Sequence, residues 1–367
     1  MTRENPKFKE ILRHEETGTF IKDEGTNEGF ILNENVLSKV TSEGITPIKK
    51  FSLDDDISNL AKRGDEISIL LQNDELLFFE GDSLKWRQSG KSIGIPKLVF
   101  HWVFMLLAVG SIFLVFGLAL LNLLIAVLVL IVNSVILLFL LHFFPSTEKE
   151  LFLGDINEDE ENEVILNVRG ELIIFLDHST GTVLKTVNTK ELGYSEGKII
   201  SPPEKREKVL WIRAKKTEKD STDYYALTIN LDGIKKVLKG VHLIEVFDWD
   251  NDGEKELASV SRRKVQIFSR KGELLTEKES PLPIAAYKGD LNGDGKKELA
   301  LLGRKGERFS FHVLKGETLC EYTFDFSPLF LLLVGTADTN TDGKDEVLLK
   351  SFFSEKIEFL VYEFTPK

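Results

Sequence analysis

Four short stretches of this chain concentrate oxygen donors at one fixed spacing. Asp155, Asn157, Asp159 and Glu163 recur as Asp248, Asp250, Asp252 and Glu256, as Asp290, Asn292, Asp294 and Glu298, and as Asp338, Asn340, Asp342 and Glu346. Each set occupies positions 1, 3, 5 and 9 of a tight loop, a spacing at which side-chain oxygens can converge on one point. Carboxylates held that close repel one another unless a hard cation sits between them, and calcium is the cation suited to such an all-oxygen shell. The backbone carbonyl at position 7, from Glu254, Lys296 or Lys344, would fill out that shell. Asp, Asn and Gly are also ordinary turn formers. Four loops in register, each with Glu at position 9, ask for more than solvated turns.

The elements that must hold these loops can be read from their flanks. A helix-loop-helix calcium hand needs a bidentate Glu at position 12, where this chain has Leu166, Ser259, Leu301 and Leu349. Each loop instead runs into a short apolar stretch of strand character, such as Val164-Ile-Leu166 or Leu299-Ala-Leu-Leu302, and follows another, such as Leu331-Leu-Leu-Val334. The site therefore bridges two strands.

Spacing extends this unit into an architecture. The first aspartates lie 93, 42 and 48 residues apart, so the long gap holds two units, one of them without ligands near Ile199 to Arg213. A period of roughly 40 to 50 residues is that of a propeller or solenoid. Each unit also ends in a strand pair with a Gly-containing turn, as in Leu172 to Leu184 or Val265 to Leu275. Four short strands per unit make a propeller blade.

The stretch Gly289-Asp290-Leu291-Asn292-Gly293-Asp294-Gly295-Lys296-Lys297-Glu298-Leu299 resembles the calcium loop of FG-GAP (VCBS-type) repeats, which build the heads of integrin α-subunits. The resemblance covers residues from about 150 to the C-terminus. It implies a β-propeller with structural calcium at the blade edges, serving adhesion or assembly. The Phe-Gly/Gly-Ala-Pro part of the signature is absent, and the loop at 155 has Glu160 where the others have Gly.

Upstream, Glu66 to Leu71 followed by Glu75 to Leu84 parallels Glu163 to Val168 followed by Glu171 to Leu176, and a weaker unit occupies Thr19 to Val40. The count reaches seven: two blades within residues 1–96 and five within 146–367. The last unit is one strand short while Phe8 to Leu12 is an orphan, so the N-terminal strand is expected to complete the last blade. The fold class is all-β, a seven-bladed β-propeller with an inserted two-helix transmembrane hairpin at 97–145.

That insertion is read from composition. Leu98 to Phe144 is 47 residues without one Asp, Glu, Lys or Arg. A span takes about 20 apolar residues, so there is room for two helices joined near Gly117 to Asn122. A buried hairpin of a soluble domain would carry a polar face, and neither half does. A hairpin returns the chain to its starting side, which puts all seven units in one compartment. Lys85, Arg87, Lys91 and Lys97 before it and Lys149 after it favour a cytoplasmic ring, as does the lack of an apolar signal core in the first residues.

Charge and residue usage exclude other classes. A net charge of −12 argues against a nucleic-acid partner, which requires a basic face. The single cysteine, Cys320, rules out an intramolecular disulfide framework. The six histidines are scattered, and no nucleophile elbow, phosphate-cradling Gly loop or zinc Cys pair occurs. The expectation is therefore a non-enzymatic, membrane-anchored, calcium-binding interaction platform within a membrane-associated complex, its protein partner unspecified by sequence. An extracytoplasmic adhesion receptor is the alternative. A quinoprotein-like redox enzyme is a second, suggested by the turn Leu176-Asp-His-Ser-Thr-Gly181.

Overall fold

The computed structural model describes residues 7–365 apart from 16–17, 24–25, 96–148, 158, 204–207, 219–220, 262, 281, 306–307, 316–317, 324–329 and 353–356. Every regular element among the described residues is a strand. The chain opens with β1 (Lys7–Glu15) and then forms blade 1 from β2 (Thr19–Lys22), β3 (Gly29–Asn33), β4 (Val36–Thr41) and β5 (Gly44–Lys50). Blade 2 is β6 (Ile57–Arg63), β7 (Glu66–Leu71), β8 (Glu75–Glu80) and β9 (Ser83–Ser89). After the insertion, blade 3 is β10 (Lys149–Gly154), β11 (Glu163–Val168), β12 (Leu172–Leu176) and β13 (Val183–Asn188), and blade 4 is β14 (Glu196–Ser201), β15 (Leu210–Glu218), β16 (Ser221–Asn230) and β17 (Gly233–Lys239). Blade 5 is β18 (Leu243–Phe247), β19 (Glu256–Ser261), β20 (Lys264–Phe268) and β21 (Leu274–Glu279), and blade 6 is β22 (Leu282–Gly289), β23 (Glu298–Lys305), β24 (Arg308–Lys315) and β25 (Thr318–Thr323). Blade 7 has β26 (Phe330–Ala337), β27 (Glu346–Phe352) and β28 (Ile357–Thr365) from the C-terminal end, and takes β1 as its fourth strand.

All seven sheets are four-stranded and antiparallel, six of them as meanders of consecutive strands. The first strands line the ring centre, and each blade packs its faces on its two neighbours. Seven apolar clusters result, one between each consecutive pair of blades, from blades 1 and 2 round to blades 7 and 1. This explains why the second strands are rich in consecutive apolar residues. All six residues of β11 are buried because both faces of that strand meet a neighbouring blade. Side chains such as Phe78, Phe175 and Leu166 are wholly excluded from water. Each contributes about 1.5–3 kcal/mol by that exclusion.

The ring closes through the chain ends. The strand expected at Phe8 to Leu12 is β1, which pairs with β28 from Lys7↔Thr365 to Glu15↔Glu358, with one irregularity between Glu10 and Leu12. Arg13 fastens the seam, bonding Glu10 of its own strand at 2.8 Å and the buried Glu358 of β28 at 2.9 Å. Among the described residues no helix is long and apolar enough to cross a membrane. The hairpin expected at 98–144 lies outside the described residues.

Candidate metal sites on one face of the ring

The four acidic loops hold equivalent places, joining the first strand to the second in blades 3, 5, 6 and 7. The pairs that close each loop are Gly154↔Glu163, Phe247↔Glu256, Gly289↔Glu298 and Ala337↔Glu346. The position-9 glutamate is thus the first residue of a core strand. Burial follows from that placement, and all four are at most 4% exposed.

One hydrogen-bond pattern repeats. Oε2 of each position-9 glutamate accepts the N–H of position 2: Ile156 at 2.9 Å, Trp249 at 2.8 Å, Leu291 at 2.9 Å and Thr339 at 2.8 Å. Oδ2 of the position-1 aspartate accepts the N–H of position 6 from Gly253, Gly295 and Gly343 at 3.0, 2.8 and 3.0 Å. Position 5 then accepts the N–H of position 7, from Glu161 to Asp159, Glu254 to Asp252, Lys296 to Asp294 and Lys344 to Asp342 at 2.7–2.9 Å. The tight wrap depends on left-handed backbone at position 6, where Gly253, Gly295 and Gly343 have φ of 89°, 82° and 84°. Glu160 adopts the same conformation at 71°. In a side-chain-bearing residue that conformation is strained.

The donor sets converge to different degrees. Carboxylate oxygens of Asp155, Asp159 and Glu163 lie within 4.8 Å of one another, as do those of Asp248, Asp250 and Asp252, a group that does not include Glu256. Asn157 instead bonds Asp159 through its amide at 2.8 Å. In blade 6 Asn292 donates to Glu298, and Asp294 is paired with Lys315 at 2.8 Å. In blade 7 Asn340 donates to Glu346 at 3.2 Å. Asp290, Asp294 and Glu298 form no comparable triad among the described residues, nor do Asp338, Asp342 and Glu346. Glu163 Oε1 and Asp338 Oδ1 are buried with no hydrogen-bond partner among the described residues.

Electrostatics single out the same glutamates. Burial, reinforced by the neighbouring aspartates, pushes the carboxyls of Glu163, Glu256, Glu298 and Glu346 each up to about 7. Burial is the main cause in all four, the loop aspartates add to it, and at Glu298 Lys315 acts in the opposite direction.

Blade 1 contains a fifth member of the series that the spacing did not reveal. The pair Lys22↔Gly29 puts Asp23 at position 1, with Gly29 where the other loops have Glu. Asp23 is 0% exposed, and Lys62 of blade 2 places its ammonium 2.6 Å away. Burial opposes its charge, yet Lys62 and the N–H groups of Gly64 and Thr26 outweigh it and hold the carboxyl below its ordinary range. An aspartate directly after Thr19-Phe-Ile-Lys22 was a visible signal; its cation, from the next blade, was not. Position 8 of the blade 7 loop was also missed. Asp345 is buried and accepts the Asp290 N–H of blade 6 at 2.7 Å and the Asn27 amide of blade 1. Loops of three successive blades are thereby tied together.

No family model matches the chain, and a search of curated proteins finds no relative. Solved structures do resemble it. A structure of BBS1N in complex with ARL6DN superposes with a TM-score of 0.53 at 8% identity, covering 98% of this chain and 97% of that one. The Pan2 WD40 domain of Neurospora crassa gives 0.53 at 9% identity, covering 99% and 97%. Sqt1 of Saccharomyces cerevisiae gives 0.50 at 8% identity, covering 95% and 83%. At such identities the likeness is one of fold, a β-propeller.

Proposed function

We propose that this chain is a membrane-anchored, calcium-stabilised β-propeller that serves as a protein-docking platform in a membrane-associated complex, with its ring on the cytoplasmic side. It is non-enzymatic in this reading. The observation that carries the calcium part is the fourfold repetition of one arrangement: a buried position-9 glutamate, fixed by the position-2 N–H, in a loop whose aspartates help raise its pKa. A divalent cation there would satisfy the unpartnered Glu163 and Asp338 oxygens and join the first strand to the second in four blades. The residues that would hold it are Asp155, Asn157, Asp159 and Glu163 and their counterparts at 248–256, 290–298 and 338–346. Asn292, Asn340 and Asp294 would turn from their present partners toward the ion. Stiffening of the ring face, rather than chemistry, is what such an ion supplies.

The anchoring part rests on the uncharged stretch Leu98 to Phe144. The docking part is supported by the propeller architecture itself, and by a propeller of like fold, BBS1N, having been captured in complex with ARL6DN.

The test uses full-length protein. Solubilised in mild detergent, it should melt at a higher temperature in calcium than in EGTA, and Asp290→Ala should remove part of that difference. A melting temperature indifferent to chelation sinks the calcium part. The chain should also stay with membranes through an alkaline carbonate wash, and removal of 98–144 should release it. Extraction of the full-length chain sinks the anchoring part.

A further inference from the structure

Both ends of the uncharged insertion leave the ring at one place. The last described residues before it, Gly90 to Ile95, form a turn in which Ile95 N–H bonds Gly90 C=O at 2.8 Å, and Ile93 and Ile95 are buried against Trp86, Leu151 and Leu153. Chain re-entry is at Lys149, whose carbonyl accepts the Asn59 amide at 3.0 Å and whose ammonium pairs with Asp74. Asp74 lies in the turn from β7 to β8, against Gly90. Exit and entry are therefore both fixed to blade 2, at the side of the ring where second strands turn into third strands.

The acidic loops lie on the other side. Strand β10 starts at Lys149 and ends at Gly154, where the blade 3 loop begins. Six residues of strand separate the two by about 17 Å at 3.3 Å per residue. First-to-second-strand loops of the remaining blades share that far side, as the contacts from Asp23 to Gly64, from Asp345 to Asp290 and from Arg63 to Pro203 show. Near the insertion Arg87 pairs with Glu75 and stands 3.6 Å from Asp54, and Lys149 pairs with Asp74, beside the further carboxylates Asp55 and Asp56. Lys91, Lys190 and Leu192 are exposed on that side, Leu192 by 46%.

We infer that the ring is held on the lipid surface in one fixed orientation, the face of second-to-third-strand turns toward the bilayer and the acidic-loop face pointing away into water. This rests on the anchoring reading above. An anchor joined by slack linkers would let the ring tumble. Here the buried isoleucines on one side and the Lys149 contacts on the other fix the chain at Ile95 and Lys149, a few residues from the uncharged stretch at either end. The cation sites stay open to the aqueous phase, and the docking face is the acidic one, remote from the headgroups, where a partner with a basic surface would be favoured.

The experiment places one fluorophore at either end of blade 2. In a Cys320→Ser background, full-length protein carrying Lys91→Cys or Asp65→Cys, both exposed sites outside the acidic loops, is labelled in phosphatidylcholine vesicles that contain a headgroup energy acceptor. Transfer from position 91 should exceed that from position 65 severalfold, because transfer to a plane of acceptors falls steeply with height above it. Equal transfer, or a reversed order, in protein that floats with the vesicles overturns the orientation and leaves the anchoring intact. Protein that does not float overturns the anchoring, and the orientation with it. Both variants must keep the parent's melting temperature, and Ser92→Cys and Gly81→Cys provide the same contrast if either does not.

Discussion

At position 6 of the acidic loops, three glycines and one glutamate do the same conformational work. Gly253, Gly295 and Gly343 reach the left-handed region without a side chain to clash, whereas Glu160 holds φ at 71° with one. Replacing Glu160 by Gly should therefore stabilise the fold, by about 1 kcal/mol once the greater freedom of Gly in the unfolded chain is subtracted. The readout is a rise of about 2 °C in melting temperature. The position-9 glutamates make a second prediction. Their folded-state pKa of about 7 lies above the ordinary value of 4.5, so over that window the native state binds more protons than the unfolded chain. Their contribution is present in full below the ordinary value and is lost as pH rises through about 7. In EGTA this part of the stability should fall from pH 5 to pH 8. Calcium, which requires the ionised carboxylates, should raise the melting temperature more at pH 8 than at pH 5. An increment that is flat or shrinks across that range contradicts the assignment.

At the scale of elements, blade 1 shows how a loop of this series stands without Glu at position 9. Its carboxylate, Asp23, is buried, and the positive charge is an ammonium delivered by Lys62 from the first strand of the next blade. The Lys62 side chain is itself mostly shielded and also lies 5.0 Å from the Phe30 ring centre. Lys62→Met should leave the buried Asp23 carboxylate without its counter-charge, a loss of about 3–5 kcal/mol. In Lys62→Met/Asp23→Asn the penalty should shrink, since the neutral amide no longer needs a counter-charge. A double-mutant cycle by urea denaturation measures that coupling, and additive effects would show that the pair does not act as one. The glycine of the β12–β13 turn works at the same scale. Gly181 is left-handed at φ 66° and packs on the Trp86 ring, where a Cβ would come within 2.7 Å. That close approach, with Trp86 Nε1 donating to the His178 carbonyl at 2.7 Å, joins blade 2 to blade 3 across the insertion.

For the whole molecule, closure depends on the strand most remote in sequence from its partners. The bonds from β1 to β28 complete blade 7 and make the seventh inter-blade layer continuous with the first. Deleting residues 1–15 leaves β28 as an open edge beside blade 1. The truncated chain should melt well below the intact one and with lower cooperativity by calorimetry. An unchanged melting curve would show that the ring holds without its clasp. The seven interfaces are otherwise alike in kind, each an apolar cluster shared by two sheets, so the ring is as secure as its seam.

The blade unit, the count of seven and the clasp were legible in the sequence because each rests on local pattern: apolar runs of strand length, Asp and Gly at turn positions, and a repeat length that exposes units lacking carboxylates. The four acidic loops were legible for the same reason, since all their donors lie within nine residues. Contacts between blades were not. Nothing in the order of residues pairs Lys62 with Asp23, or Asp345 with both Asp290 and Asn27, because those partners are 39, 55 and 318 residues apart and meet through the curvature of the ring. Composition alone marked residues 98–144 as apolar. That the residues flanking them, Ile95 and Lys149, stand together on the face opposite the acidic loops was decided by strand direction in the closed ring, where every first strand runs the same way.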